Sequence, residues 1–164
     1  MTNPYCGNGV YLSRHFQTAY VTRDIERTAA EFQRRFGIKS FQFVRSNQVD
    51  EHTRIDLALA WLGDEMVELI QPLGNGGSFY EAMLGPDPLG TRLHHFGHLL
   101  PDRREWDRLR EQVSRDGYPI ALEGRVENFL SYLYVDARAH TGHYLEYILC
   151  EPAGQAFFDA VPRS

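Results

Sequence analysis

Two hydrophobic rhythms alternate along this chain. Short runs rich in aromatic and β-branched residues read as strands, and between them apolar residues recur at helical spacing. HFQTAYV (15–21) predicts a strand, followed by a helix from about Arg23 to Phe36 with Thr22 or Asp24 as its N-cap. Ile25, Ala29, Phe32 and Phe36 form the apolar stripe, and Gly37 stands where a helix most often needs a left-handed residue to stop. Strands are then predicted in SFQFVR (40–45), RIDLALAWL (54–62) and EMVELIQPL (65–73), with Gly63-Asp64 as a hairpin turn.

The second half repeats the plan. HFGHLL (95–100) predicts a strand, and Asp102 with Glu105 makes a capping-box-like helix start. Trp106, Leu109 and Val113 supply the stripe and Gly117 the stop. Strands follow in YPIALEG (118–124), ENFLSYLYVDA (127–137) and HYLEYILCE (143–151). Both halves therefore read β-α-β-β-β, a duplicated module in an α+β chain. Module one covers about 14–73, a linker with a helix candidate (SFYEAML) covers 74–92, and module two covers about 93–150. Residues 1–13 read as an irregular arm. The tail, 151–164, offers a short helix with Phe157, Phe158 and Val161. The expectation is one domain over 1–164, with the linker helix either a plain connection or a cover beside Glu68.

Composition narrows the class. Hydrophobic residues make up 43% of the chain, enough for a substantial core. The net charge of −5, with arginines scattered along helical stretches, argues against a nucleic-acid partner. No run approaches the roughly 18 apolar residues of a membrane span, and the N-terminus lacks a signal-peptide pattern, so a cytoplasmic protein with no membrane partner is expected. Cys6 and Cys150 show no framework spacing, and two reduced thiols are the simpler reading beside a single bridge.

The chemistry lies in a pattern written twice. A His-Phe opens a strand-like run, and a Glu sits inside another apolar run some fifty residues later: His15 with Glu68, and His95 with Glu146. The separations are 68 − 15 = 53 and 146 − 95 = 51. His15 to Gly37 and His95 to Gly117 are both 22 residues. By strand alternation Met66, Glu68 and Ile70 share one face, as do Tyr144, Glu146 and Ile148. An ionised carboxylate in such an apolar strand needs a metal, an arginine or a raised pKa. Two imidazoles and two carboxylates form a charge-balanced set for a divalent ion: zinc, cobalt, nickel, manganese or iron(II). Taken singly, a His at a strand start or a Glu in a strand is an ordinary polar residue; the matched spacing favours a metal. The same register selects His95, with His94 as the fallback, although alternation puts His94 on the opposite face with His98. Gln17 is expected to share the His15 face and line the pocket. His140 and His143 flank a Thr-Gly turn, where exposed histidines are ordinary.

The repeated module with His, Glu, His and Glu resembles the vicinal oxygen chelate superfamily of glyoxalase I, methylmalonyl-CoA epimerase and extradiol dioxygenases. MVELIQPL, SFYEAML, GTRLHHFGHLLPD and HTGHYLEYIL resemble the methylmalonyl-CoA epimerase-like branch in order and spacing, from His15 to about Leu149. The resemblance implies two βαβββ modules forming a cupped, eight-stranded mixed sheet around a divalent metal. It implies His15, Glu68, His95 and Glu146 as ligands, and dimers are common in the superfamily. It further implies a metal-dependent isomerase, epimerase or lyase that stabilises an enolate next to a carbonyl. The partner would be a small molecule with a carbonyl or thioester, an acyl-CoA among the candidates. Glu146 is then a proton-transfer group, with Glu51 or His52 near the start of the third strand as the other. An extradiol-type dioxygenase, and a non-catalytic binding protein of the bleomycin-resistance kind, are the alternatives.

Overall fold

The computed structural model describes residues 11, 12, 14–74 and 79–164. Most of the expected N-terminal arm, Cys6 included, lies outside the described residues. The fold class is the one expected: α+β, with the two βαβββ modules of the repeated pattern and the eight-stranded mixed sheet that the resemblance implies. The first module holds β1 (His15–Thr22), α1 (Ile25–Phe36), β2 (Gln42–Gln48), β3 (Arg54–Leu62) and β4 (Glu65–Leu73). The second holds β5 (Thr91–Leu99), α2 (Arg103–Asp116), β6 (Ile120–Val126), β7 (Leu130–Asp136) and β8 (Tyr144–Cys150). A one-turn helix, α3 (Arg138–Thr141), joins β7 to β8, and α4 (Pro152–Asp159) forms the expected tail helix. None of the described helices is long and apolar enough to cross a membrane.

The chain gathers into two compact units. One contains Gln17–His95 with Ala160–Ser164, and the other contains Phe96–Asp159 with the described residues before Gln17. In the first unit the strands run β2-β3-β4-β1, with β1 parallel to β4 and the other pairs antiparallel. The helix α1 covers one face of this sheet. Ile25 and Ala29 pack with Ala58, Ala60, Val67 and Leu69, and Tyr20 and Phe32 close the edge. Phe36, expected in the same stripe, is 57% exposed because it lies in the helix's last turn, where the chain leaves the sheet at Gly37. At Trp61 the strand β3 also bonds to the tail residues Pro162 and Ser164.

In the second unit β8-β7-β6 run antiparallel, and α2 covers one face. Trp106, Leu109 and Val113 pack with Leu133, Val135, Leu145 and Tyr147. Both long helices start on an aspartate whose carboxylate accepts from the backbone N–H three residues on: Asp24 from Arg27, Asp102 from Glu105, each at 3.0 Å. Both stop at a left-handed glycine, Gly37 at φ 75° and Gly117 at φ 72°.

Two elements differ most from the pattern. The strand β5 begins at Thr91, four residues before its apolar run, since strand hydrogen bonding uses the backbone and tolerates Arg92 and His94. The segment SFYEAML yields only a 3-10 turn, Glu81–Met83, among its described residues, because Gly85 and Pro86 follow it and stop a longer helix. Phe79 and Tyr80 pack beneath it with Ala19, Val21, Ile55 and Ile70.

Candidate metal centre

In each unit the helix takes one face of its strands, and the glutamate lies on the other. With α1 on Ala58, Ala60, Val67 and Leu69, the opposite face presents Leu57 and Leu59 of β3 and Met66, Glu68 and Ile70 of β4. With α2 on Leu133, Val135, Leu145 and Tyr147, the opposite face presents Tyr132 and Tyr134 of β7 and Tyr144, Glu146 and Ile148 of β8. Both carboxylates are buried, Glu68 at 8% and Glu146 at 6% exposed. Glu68 stands opposite Leu59, whereas Glu146 stands opposite Tyr134.

Within one unit, Glu68 meets His95. His95 is fully buried, and its Nε2 lies 3.4 Å from Glu68 Oε2. That is long for a charge-assisted hydrogen bond. Two donors each about 2.0–2.2 Å from one ion, subtending 90–110°, stand roughly 2.8–3.6 Å apart. The pair therefore has the separation of two ligands on a common ion, and the donor types suit one. His95 Nδ1 is engaged elsewhere, 2.8 Å from His94 Nδ1. Alternation had put His94 on the far face, but the two rings meet at 5.1 Å between centroids. His94 in turn stacks on Tyr80 at 5.1 Å and receives Phe79 edge-on at 4.8 Å. His94, the fallback ligand by register, is instead the ring partner of His95, and the adjacent His-His pair with two aromatics upstream is the signal for that contact.

Gln17 is buried, at 2% exposure, and its register places it beside Met66 with Ala19 beside Glu68. Its Nε2 reaches Met66 Sδ at 3.7 Å, while its Oε1 has no hydrogen-bond partner. A buried amide oxygen left in that condition is costly unless something else occupies it. Gln17 also stands seven residues before the Asp24 cap, as His95 stands seven before Asp102. Counted from the helix starts, Gln17 rather than His15 is the counterpart of His95. The equal 22-residue count from the helix ends reflects α1 being two residues shorter, 12 against 14.

In the other unit His15 opens β1 as an exposed residue, its ring edge-on to Phe96 at 5.2 Å and to His98 at 5.8 Å. His98 is buried and stacked on Tyr147 at 5.3 Å. His143, expected to be exposed at its turn, is buried against Phe96, and its Nδ1 lies 2.9 Å from the Tyr144 carbonyl. His140 is exposed as expected. Burial, with Asp159 and Glu146 nearby, pushes the Cys150 thiol up to about 11. Burial raises the Tyr144 hydroxyl as well, against the Arg138 guanidinium over its ring.

Glu51 and His52 sit exposed in the β2–β3 turn. Asp50 Oδ1 organises that turn by accepting from the backbone N–H groups of His52 and Thr53 at 2.8 and 2.7 Å, and the first of these bonds leads in holding its carboxyl below the ordinary range. The strand leaving the turn starts with Arg54 opposite Leu73, five residues along β4 from Glu68. Five residues of strand span on the order of 17 Å. The turn is therefore not brought to the Glu68–His95 pair.

Among the described residues, Glu68 and His95 form a buried pair that could serve a metal ion, and Glu146 is a buried carboxylate on the helix-free face of the other unit. Two carboxylates and an imidazole fit a divalent ion chemically.

A family model described as the Glyoxalase/Bleomycin resistance protein/Dioxygenase superfamily matches residues 16–132. The chain belongs to this superfamily. Solved structures with the superfamily's fold include a variant methylmalonyl-CoA epimerase of Streptomyces coelicolor in complex with 2-nitronate-propionyl-CoA. It is 14% identical with a TM-score of 0.60, over 84% of this chain and 96% of that one. The methylmalonyl-CoA epimerase of Mycobacterium tuberculosis is 12% identical with a TM-score of 0.62, over 89% and 93%. A hypothetical protein of Bacillus halodurans is 11% identical with a TM-score of 0.60, over 84% and 94%. At these identities the likeness is one of fold. No curated protein matches the chain.

Proposed function

We propose that this superfamily member is a metal-dependent enzyme that moves a proton next to a carbonyl, as an epimerase, isomerase or lyase. The observation that carries the reading is the buried Glu68–His95 pair at 3.4 Å on the helix-free face of its strands. The buried Glu146, a carboxylate on the helix-free face of the other unit, supplies the second acid that the reading needs. Glu68, His95 and Glu146 are the proposed protein ligands, and β1 contributes the fourth group. Gln17 Oε1 suits that role better than the exposed His15, because it is buried and otherwise unbonded. The resulting set is mostly oxygen, which favours manganese or iron(II) over zinc.

A divalent ion held there supplies Lewis-acid polarisation of a substrate carbonyl. Glu146 then takes and returns the proton at the adjacent carbon, through the carboxylate oxygen that is not used as a ligand. A positioned base of this kind contributes about 10²–10⁴-fold. On its own unit's face Glu68 has Leu57 and Leu59 as neighbours on β3, and on its own Glu146 has the phenols of Tyr132 and Tyr134 on β7. Gly124, paired with Tyr132, leaves room for that phenol, since a Cβ at 124 would collide with its hydroxyl oxygen. Glu51 and His52 receive no step here, because their turn lies a long way along the strand from Glu68. The acyl-CoA thioesters bound by the epimerases of similar fold are the first substrates to try.

The test is metal content of the purified protein followed by solvent-deuterium incorporation at the α-carbon. Acyl-CoA thioesters and 2-oxo acids would be offered to manganese-, cobalt- and zinc-loaded protein. Exchange that disappears in Glu146→Gln is expected. Metal-loaded protein that exchanges no α-proton in either class would overturn the proton-transfer reading. Unchanged ligand binding by metal-free Glu68→Ala would favour a binding protein instead.

A further inference from the structure

We propose that His94 is a positioning residue that fixes the tautomer of His95 and so decides whether the nitrogen facing Glu68 carries a proton. The inference rests on the reading of Glu68 and His95 as metal ligands. Both imidazoles are fully buried, and their Nδ1 atoms lie 2.8 Å apart. A hydrogen bond between two neutral imidazole nitrogens carries one proton, so one ring donates and the other accepts. Each direction of that bond has a distinct consequence at the far side of His95.

When His95 Nδ1–H donates to His94 Nδ1, the His95 proton is committed there. Nε2, 3.4 Å from Glu68 Oε2, then keeps its lone pair, as a metal ligand requires. When the bond runs the other way, His95 carries its proton on Nε2, and the contact with Glu68 becomes a long donor–acceptor pair with no place for an ion. One proton position therefore separates a ligand from a structural histidine. The surroundings of His94 favour a fixed ring. Tyr80 stacks on it with 30° between the planes, and Phe79 meets it edge-on at 88°. Those contacts hold its Nδ1 toward His95. They also give the short segment after β4 a function, since its two aromatic residues orient the ring that orients the ligand. Outer partners of this kind typically change metal affinity 10–100-fold when removed.

The first experiment needs no variant: long-range ¹H–¹⁵N correlation of the ring nitrogens in the metal-stripped wild-type protein at pH 8. The expected result is His95 protonated at Nδ1 and His94 at Nε2. His95 protonated at Nε2 overturns the inference. The second experiment measures Mn²⁺ and Co²⁺ affinity by titration calorimetry and the visible spectrum of the Co²⁺ form. His94→Phe, which offers no acceptor, is expected to lose roughly 10–100-fold in affinity and to shift the Co²⁺ bands. His94→Asn, whose amide oxygen can accept in place of Nδ1, is expected to recover most of both. Wild-type affinity and spectrum in a folded His94→Phe protein also overturn the inference. Wild-type protein that takes up neither ion sinks the metal reading itself, and the tautomer measurement still judges His94 on its own.

Discussion

The two strand–helix units, β1 with α1 and β5 with α2, are built alike and equipped differently. Each helix begins on an aspartate cap and ends on a left-handed glycine, and each covers the sheet face away from a glutamate. Seven residues before the cap, however, one unit has Gln17 and the other His95. The helix start fixes how far along the strand a residue lies and which face it takes, because only a tight turn separates cap from strand. The helix end does not, because α1 and α2 differ in length by two residues. A repeat aligned on its glycine stops pairs His15 with His95; aligned on its caps it pairs Gln17 with His95. Burial agrees with the caps: Gln17 is 2% exposed and His15 is exposed. The two faces differ as well, with leucines beside Glu68 and tyrosines beside Glu146.

The largest effect should come from breaking the comparison at the proposed ligands. His95→Ala is expected to reduce divalent-ion affinity by more than about 10²-fold, beyond the range of outer-partner substitutions. Gln17→Ala should cost less, and His15→Ala should stay close to wild type. Titration calorimetry on the three variants decides between the alignments. A loss in His15→Ala that matches His95→Ala would restore the glycine-based pairing.

A smaller effect tests whether the caps are equivalent. Asp24→Ala and Asp102→Ala should each cost about 0.5–2 kcal/mol in urea denaturation, since each removes a bond of 3.0 Å to an otherwise unpaired helix N–H. A near-zero cost at Asp24 would mean that Thr22, whose Oγ accepts from the Asp24 N–H at 3.2 Å, sustains the α1 start without it.

The smallest effect concerns Asp136, opposite Tyr144 at the end of the Glu146 face. Hydrogen bonds from the Arg138 side chain hold its carboxyl below the ordinary range, with the Arg138 backbone N–H adding to them and burial opposing. A lowered folded-state pKa contributes stability that is present above the unfolded value and lost as pH falls through the folded one. Arg138→Ala should therefore lower Tm slightly near neutral pH, the difference from wild type closing between pH 4 and pH 2. Solvent screening of the half-exposed guanidinium keeps the effect small. A Tm difference that persists unchanged at pH 2 would assign the role of Arg138 to its packing over Tyr144 instead.

Much of this protein was legible before its structure. The bounds of β3 and β4 coincide with their hydrophobic runs, and alternation assigned Glu68 and Glu146 to the faces they occupy. The helix caps and stops were equally readable, because capping aspartates and left-handed glycines act through their immediate neighbours. His94 was not readable. Alternation describes where Cβ atoms point, whereas a long planar side chain can swing until its ring meets the next residue's. The burial of His143 and the isolation of Glu51 and His52 from Glu68 were hidden for a related reason: each depends on what packs nearby, or on how far along a strand a turn falls. Local hydrogen bonding and hydrophobic period, both encoded within a few residues, determined the modules, their helices and the two buried carboxylates. The tertiary structure decided that Nε2 of His95 stands beside Glu68 and that Gln17, level with Met66, is the nearby β1 side chain on that face, because those placements arise only when strands far apart in sequence are brought into register.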